Sequence, residues 1–203
     1  MPHELRVPAL TVGLTGGIGS GKSAALADLV ALGAVGIEAD DIARVVVAPG
    51  TAGCAAVLHA FDVDDGAGGI DRTRLAAMVF ADADARARLE AIVHPLVRAE
   101  TRRLIGQAAP DAIVVNAVPL LVEAGLSGEY DVVVVVEAPI EVRLGRLRLG
   151  GMARADALAR IAAQTSDEAR RAVASWVIDN DGMPDELRAR VAELWVQLRA
   201  RVA

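Results

Sequence analysis

Short, continuous apolar runs alternate along the chain with longer segments in which apolar residues recur at helical spacing. Four of these runs have the length of buried strands: residues 10–14, 34–37, 112–115 and 132–136. Each run is followed by sequence with helical periodicity, beginning with residues 24–32 after the first run. Continuous apolar strands joined by helices are typical of a parallel sheet covered by helices on both faces. The pattern therefore predicts an α/β fold.

Longer helical patterns occupy the middle and the end of the chain. Residues 71–105 are predicted to be mostly helical, and Pro95 is expected to break or kink the later part of that segment. Residues 186–202 predict an amphipathic helix. Residues 62–69 are rich in Asp and Gly, so we expect the least ordered loop there.

Size, charge and apolar patterning narrow the class of protein. A chain of 203 residues can form one well-buried core with a small inserted subdomain. The formal net charge of −6 argues against a general nucleic-acid binder, because such a protein needs an excess of cationic surface. No apolar run approaches the roughly 20 residues that span a bilayer, so no membrane partner is expected.

The amino-terminal segment and the cysteine content predict a cytoplasmic location. The apolar stretch MPHELRVPALTVGL runs directly into a glycine-rich segment, so we interpret it as a core strand and not as a targeting signal. Cys54 is the only cysteine, which excludes an internal disulfide and suits a reducing compartment.

The glycine-rich segment GLTGGIGSGKS contains the only lysine of the chain, Lys22. Gly16, Gly21, Lys22 and Ser23 fit the pattern G-x-x-x-x-G-K-[ST], and the match lies between a predicted strand and a predicted helix. In such a loop, backbone N–H groups and the helix dipole bind a phosphate, and a compact ammonium reaches between two phosphate groups. We therefore predict a phosphate loop, residues 16–23, for a nucleoside triphosphate with Mg²⁺ on the Ser23 hydroxyl.

The rest of the chain favours phosphoryl transfer to a small acceptor. No lysine is left for the N-K-x-D motif of a GTPase, and no predicted strand ends in the Asp-Glu of a motor or transport ATPase. Asp40, in GIEADDIAR after the second predicted strand, is the candidate base and metal ligand, because the carboxyl ends of parallel strands share one crevice. A helix N-cap is the alternative role for this aspartate.

Six segments, taken in order and at their spacings, resemble the dephospho-CoA kinase family: GLTGGIGSGKS, EADDIAR, IVHPLV, VPLLVE, RIAAQ and IDNDG. The resemblance covers about residues 10–182. It implies a three-layer P-loop kinase fold in a single domain. The parallel-sheet core is expected at about residues 8–60 and 110–203, a helical acceptor-binding subdomain at about 61–109, and a lid at about 143–165. The implied reaction is transfer of the ATP γ-phosphoryl group to the ribose 3′-hydroxyl of the small-molecule substrate dephospho-CoA, the last step of coenzyme A synthesis.

The resemblance also implies roles for individual residues. The nucleotide is expected on Gly16, Gly17, Ile18, Gly19, Ser20, Gly21, Lys22, Ser23, Ala24 and Asn180, and Mg²⁺ on Ser23 and Asp40. The expected acceptor-side residues are Arg44, Arg72, His94, Pro95, Pro119, Leu120 and Glu123. Lys22, Asp40 and Arg148 are the expected catalytic residues. Arg44 could instead be a solvated helix arginine, and His94 a packed core residue.

The sequence departs from the family pattern at positions that bear on catalysis. Gly150 occupies the position of the arginine that the family places over the γ-phosphate, a group whose loss can lower the rate by orders of magnitude. Arg146, Arg148 or Arg154 could replace it, or could form a solvated helix face. Smaller departures are Ser175 and Glu38, where the family commonly has aspartates, and Ala117, where many relatives are acidic.

These departures leave alternatives to an active dephospho-CoA kinase. A catalytically impaired homologue could bind nucleotide, a CoA precursor or a protein partner. A nucleotide or nucleoside kinase is disfavoured by the His-Pro and Pro-Leu-Leu segments.

Overall fold

The structure is a computed structural model that describes residues 10–202. The first nine residues of the amino-terminal segment, for which a core strand was predicted, lie outside the described residues. Among residues 10–202, no helix is both long and apolar enough to cross a membrane.

Five strands of the described chain form one fully parallel sheet in the order β2-β3-β1-β4-β5. The strands are β1 (Leu10–Gly16), β2 (Val35–Glu38), β3 (Ile113–Ala117), β4 (Val132–Glu137) and β5 (Trp176–Asp179). In the register of the sheet, Leu14 lies opposite Ala117 on one side and Val134 on the other. The four predicted strands are confirmed within two residues at each end. The edge strand β5 was not predicted from the apolar pattern.

The three central strands are buried on both faces. Every residue of β3 and β4 is buried, and in β1 only Thr11 is partly exposed. Side chains of neighbouring residues point to opposite faces of a sheet, so continuous burial requires cover on both sides. This is the structural reason for the uninterrupted apolar runs.

The helices of the described chain are α1 (Lys22–Ala31), α2 (Ala39–Val46), α3 (Ala52–Ala60), α4 (Arg72–Ala81), α5 (Ala83–Ile105), α6 (Ile140–Leu149), α7 (Arg154–Ala162), α8 (Asp167–Val173) and α9 (Pro184–Ala200). Helices α1 and α9 pack together, and α8 packs against β4. Leu29 of α1 and Val191 of α9 join Leu14 and Val134 of the sheet in one buried cluster. The predicted helix at the end of the chain is thereby confirmed as a core helix.

Contacts divide the described chain into two compact units. The helical unit is Ala39–Ile105, and the sheet unit is the remainder of the described residues. The helical unit begins well before the subdomain start expected near residue 61, because α2 and α3 pack against α5. It ends close to the end expected near residue 109. The binding role of this unit stays a prediction.

The helical unit has its own small core. Val57, Phe61, Val63 and Ala85 are buried together. The helical prediction for residues 71–105 is confirmed as α4 and α5. Of the two effects expected of Pro95, the break is wrong, since α5 continues through it, and the kink stays a prediction. Proline in a helix interior removes one backbone hydrogen bond, and the flanking turns of this long helix continue on both sides.

The acidic, glycine-rich loop before α4 is held by its own side chains. Asp65 Oδ1 accepts hydrogen bonds from the N–H groups of Ala67 and Gly69 at 2.8 and 2.9 Å. These bonds hold the pKa of the exposed Asp65 carboxyl below its usual value. An isolated antiparallel bridge between Asp64 and Ile70 closes the loop. The expected loop is therefore present, and hydrogen bonds fix its shape.

Candidate active site

The phosphate loop lies where the sequence places it, between the central strand β1 and helix α1. Helix α1 has no side-chain cap at Gly21, and its first intrahelical bond joins the Ala25 N–H to the Gly21 carbonyl. The N–H groups of Ser23 and Ala24 precede that bond and have no carbonyl four residues back within the helix. Both residues are exposed. An anion such as a phosphate fits this helix end, because it accepts hydrogen bonds from first-turn N–H groups and meets the positive end of the dipole.

Gly21 has to be a glycine for two reasons. Its φ of 99° is in the left-handed region, which residues with a side chain rarely adopt. A Cβ atom at this position would also overlap the amide nitrogen of Asn180. That nitrogen donates a 2.7 Å hydrogen bond to the Ser20 carbonyl. The glycine therefore lets a buried side chain approach the loop backbone.

Arg146 supports the same part of the loop. Its Nη1 donates to the carbonyls of Ser20 and Gly19 at 3.2 and 3.5 Å, and its Nη2 donates to Asn180 Oδ1 at 3.1 Å. Both polar groups of the Asn180 amide are therefore bonded to the protein. The alternative that Arg146 is a solvated helix residue is wrong, because its guanidinium contacts the phosphate loop. A lid role for this arginine stays a prediction.

Arg143 and Gln164 hold the middle of the loop and were not predicted as site residues. Arg143, 4% exposed, donates from Nε to the Ile18 carbonyl at 2.8 Å. Gln164 Oε1 accepts a 2.8 Å hydrogen bond from the N–H of Ile18. Burial lowers the pKa of Arg143, and the Asp167 carboxylate opposes this effect. The available sequence signal was RIAAQ, the family segment in which Gln164 lies.

Helix α8 organises an ionic cluster behind the loop. Arg170, 1% exposed, pairs with Asp167 at 3.0 Å and with Glu123 at 3.3 Å, and Arg143 lies 3.5 Å from Asp167. Arg171 pairs with the buried Glu137 at the end of β4. Glu123 Oε1 also accepts a hydrogen bond from the N–H of Thr165. The structure thus places Glu123, a predicted acceptor-side residue, in a contact network with Arg170.

The segment predicted to be the lid contains a helix hairpin with a glycine turn. Gly150 ends α6, and Gly151 has a φ of 85°. Arg154 Nη2 pairs at the surface with Glu141 at 3.0 Å, which joins α7 to α6. Arg148 lies in the last turn of α6 and is exposed.

The predicted base lies in the first turn of α2, in the helical unit. Asp40 and Asp41 are both exposed there. Arg44 Nη1 pairs with Asp41 Oδ1 at 2.9 Å, and both side chains are about two thirds exposed. Asp41, and not Asp40, is therefore the local ion-pair partner of Arg44.

The other acceptor-side candidates of the helical unit are exposed as well. Arg72 is the first residue of α4, and His94 and Pro95 lie in the middle of α5. The alternative that His94 is a packed core residue is wrong, because its surface faces solvent within this unit.

The remaining candidate residues of the sheet unit lie in β3, in the loop after it, and directly before β5. The Pro119 carbonyl accepts a hydrogen bond from Thr15 Oγ1 at 3.3 Å, and Leu120 is 46% exposed. Ser175 Oγ accepts from the N–H of Val133 at 3.2 Å. A serine hydroxyl thus provides a hydrogen-bond acceptor at this position without a carboxylate. Ala117, at the end of β3, is fully buried.

Metal binding by protein groups alone has no support in the described part of the chain. Residues 10–202 contain no cluster of three or more His, Cys, Asp or Glu side chains placed to hold a metal ion. Mg²⁺ commonly keeps several waters and binds one or two protein groups together with substrate phosphates. The Ser23 hydroxyl, exposed at the start of α1, suits that kind of site.

A parallel sheet whose central strand runs into a lysine-bearing phosphate loop defines a P-loop nucleotide-binding protein. The chain belongs to the dephospho-CoA kinase family, whose model matches residues 10–186.

Individual relatives agree with this family. The chain is 57% identical to the dephospho-CoA kinase of Frankia casuarinae over 193 residues, which are 94% of this chain and 84% of the relative. It is 55% identical to that of Streptomyces avermitilis over 192 residues, 93% of this chain and 94% of the relative. The solved dephospho-CoA kinase from Campylobacter jejuni shares the fold, with a TM-score of 0.71 at 24% identity over 94% of this chain and 97% of that one. The similarities do not support the alternative of a catalytically impaired homologue.

Proposed function

We propose that this chain transfers the γ-phosphoryl group of ATP to the ribose 3′-hydroxyl of dephospho-CoA, giving coenzyme A and ADP. The observation that carries the proposal is the phosphate loop with Lys22 at the end of the central strand, in a chain of this family. ATP is the donor because the loop binds phosphates and the family is a kinase family.

The nucleotide side is assigned to residues of the loop. The ATP phosphates are assigned to residues 16–24, where the loop N–H groups bind them, apart from those of Ile18 and Ser20, which donate to Gln164 and to the Gly17 carbonyl. The Lys22 ammonium offsets charge between the phosphate groups. The residues that would hold Mg²⁺ are Ser23, through its hydroxyl, and Asp40, and the ion would supply charge neutralisation and alignment of the phosphates. Asn180 supports the nucleotide side through its hydrogen bond to the Ser20 carbonyl.

Asp40 is assigned as the general base. The proton of the ribose 3′-hydroxyl passes to its carboxylate as the new oxygen–phosphorus bond forms and the bond to the ADP leaving oxygen breaks. Exposure of Asp40 within the helical unit leaves the carboxylate accessible to an acceptor. The acceptor itself is assigned to Arg44, Arg72, His94, Pro95, Pro119, Leu120 and Glu123.

Arg148 is assigned as the arginine that replaces the one missing at Gly150. Of the three neighbouring candidates, Arg146 is bonded to the loop carbonyls and Arg154 is paired with Glu141. Arg148 is exposed and lies two residues before the glycine turn. The assignment requires that the segment moves so that this guanidinium reaches the transferring phosphoryl group.

The test of the Arg148 assignment is a comparison of two arginines of the same segment. Arg148→Ala is expected to lower kcat about a hundredfold, as does loss of one transition-state donor, while Arg154→Ala leaves it nearly unchanged. Equal rates for both variants would refute the assignment. Gly150→Arg in the Arg148→Ala background should restore turnover, since it returns a guanidinium to the same turn.

The proposed reaction is tested by ADP production from ATP, Mg²⁺ and dephospho-CoA, with AMP and nucleosides offered as competing acceptors. We expect turnover of about 1 s⁻¹ or more with dephospho-CoA. Faster turnover with a nucleoside monophosphate would make the chain a nucleotide kinase. Absence of ADP production with every acceptor would reject the proposal.

A cytoplasmic location remains a prediction, supported by the single cysteine.

A further inference from the structure

One residue of the phosphate loop, Ile18, is held through both of its backbone polar groups. Arg143 of α6 donates to its carbonyl, and Gln164, just after α7, accepts from its N–H, each at 2.8 Å. Arg143 lies in the first arm of the α6–α7 hairpin, and Gln164 directly follows the second arm. Because they act on the same residue, the position of that residue depends on both arms of the hairpin.

The Arg143 guanidinium is packed against the loop backbone. Its Nη2 is buried and has no hydrogen-bond partner among residues 10–202. It lies beside Gly17, where an added Cβ would overlap Nη2 and come within 2.7 Å of Cζ. Gly17 does not have a left-handed φ, so this close approach, and not backbone conformation, calls for glycine here. A buried guanidinium with an unpaired N–H group destabilises the fold. Stability alone therefore does not explain why an arginine occupies position 143.

The geometry of the peptide bond connects these contacts to phosphate binding. In a trans peptide the C=O of one residue and the N–H of the next point in opposite directions. When Arg143 holds the Ile18 carbonyl, it directs the N–H of Gly19 away from α6. Asn180 and Arg146 hold the Ser20 carbonyl and in the same way direct the N–H of Gly21.

We propose that Arg143 and Gln164 are positioning residues of the nucleotide site: they fix the Ile18 peptide so that the Gly19 N–H is oriented for phosphate before nucleotide binds. This inference rests on the proposed function, because it requires a phosphate in the loop. Neither side chain touches the nucleotide in this account. Their effect is to remove conformations of the loop in which its N–H groups are misdirected.

The test uses ADP as the probe and Arg143→Met as the variant, with Arg171→Met as matched control. Methionine keeps the apolar stem of Arg143 and loses the donors, so Kd for ADP should rise about tenfold, the worth of a charged hydrogen bond. Arg171 belongs to the same ionic cluster but contacts Glu137 and not the loop, so its variant should bind ADP as the unaltered protein does. KM for ATP should rise in Arg143→Met, and KM for dephospho-CoA should stay constant. A merely structural defect would lower the folded fraction and leave both KM values unchanged.

A double-mutant cycle with Gly17→Ala tests the geometry directly. The added methyl group should displace the guanidinium and weaken ADP binding by itself. In the Arg143→Met background the overlapping atoms are gone, so Gly17→Ala should cause little further loss. If the fold increases in Kd for ADP caused by the two substitutions multiply in the double variant, the alanine does not act through the Arg143 guanidinium, and the proposal is overturned. Gln164→Ala removes the second anchor and should weaken ADP binding about threefold.

The outcomes separate this inference from the proposed function. If the unaltered protein binds ADP and turns over, but Arg143→Met and Gln164→Ala bind ADP equally well, only the positioning role is refuted. If the unaltered protein does not bind ADP, both the role and the proposed kinase activity are refuted.

Discussion

The phosphate loop and the helical unit use polar side chains in opposite ways. Around the loop, Arg143 and Asn180 are buried and hydrogen bonded to backbone carbonyls more than 100 residues away in sequence. In the helical unit, Asp40, Arg72 and His94 are exposed. The predicted nucleotide side is therefore assembled by tertiary contacts, whereas the acceptor-side candidates of the helical unit are surface residues.

This difference has a consequence for mutagenesis. A buried polar group that loses its partner carries a desolvation cost, so changes around the loop affect stability and binding together. Exposed side chains have water as an alternative partner, so changes in the helical unit should affect catalysis without unfolding the protein.

The largest effect is expected at the loop itself. Lys22→Ala should lower kcat/KM for ATP about a thousandfold, because no other lysine can supply the ammonium between the phosphates. Lys22→Arg should fail almost as badly, since a planar guanidinium does not replace a compact ammonium in a tight loop. Steady-state kinetics at varied ATP measures both. Near-normal rates for Lys22→Arg would show that charge, and not shape, is what the loop needs.

Two neighbouring aspartates of α2 test whether exposed residues of the helical unit affect catalysis without affecting stability. Asp40→Asn should lower kcat about a hundredfold with little change in thermal stability, because it removes a general base that is exposed in its own unit. Asp41→Asn is the matched control, since Asp41 is the neighbouring residue, is also exposed and pairs with Arg44. Equal losses at both positions would remove the distinction between a base and a general charge effect.

Apolar truncations should show the same contrast in stability. Leu29→Ala should lower the free energy of unfolding by about 3 kcal/mol, because Leu29 is fully buried between α1 and the sheet. Leu75→Ala in α4, a helix with no fully buried residue, should cost only about 1 kcal/mol. Urea unfolding followed by circular dichroism measures both. A larger cost at Leu75 would mean that the helical unit depends on its core more than its exposure indicates.

The smallest effect concerns the loop of the helical unit, through the lowered pKa of Asp65. A carboxyl whose pKa is lower in the folded protein stabilises it above the unfolded value near 4, and the gain is lost as pH falls through the folded pKa. Asp65→Asn should therefore lower the thermal midpoint at pH 7, and the difference should shrink as the pH falls below the unfolded value and through the folded pKa. Asp111→Asn, outside this loop, serves as the control. A difference that persists in acid would assign the effect to geometry instead of charge.

Sequence patterns over a few residues correctly predicted the elements that depend on local interactions and burial. The strands β1, β3 and β4 follow from continuous apolar runs, and the phosphate loop follows from glycines and a lysine at fixed spacing between a strand and a helix. The strand β5 was missed because Trp176–Asp179 is a short edge strand with only Ile178 buried. The helical unit starts before the predicted acceptor-binding subdomain because α2 packs on α5, a contact between residues distant in sequence that local patterns do not reveal.

The arginines that hold the phosphate loop could not be predicted, because their contacts also join residues distant in sequence. Arg143 and Arg146 lie on a helix rich in arginine, and that pattern alone is also typical of a solvated face. Only the fold shows that their guanidinium groups reach Ile18, Gly19 and Ser20. A continuous helix through Pro95 was equally hidden, because local rules for proline predict a break.

The position of Lys22 at the start of α1 also limits how the protein can be modified. Every other basic side chain of the chain is a guanidinium or an imidazole, so acylation, methylation or ubiquitin attachment at a lysine can occur only on the phosphate-loop amine. Acylation there would remove the charge that the loop needs. Modification of this protein at lysine and inactivation of its nucleotide site would then be a single event, and bound nucleotide should protect against both.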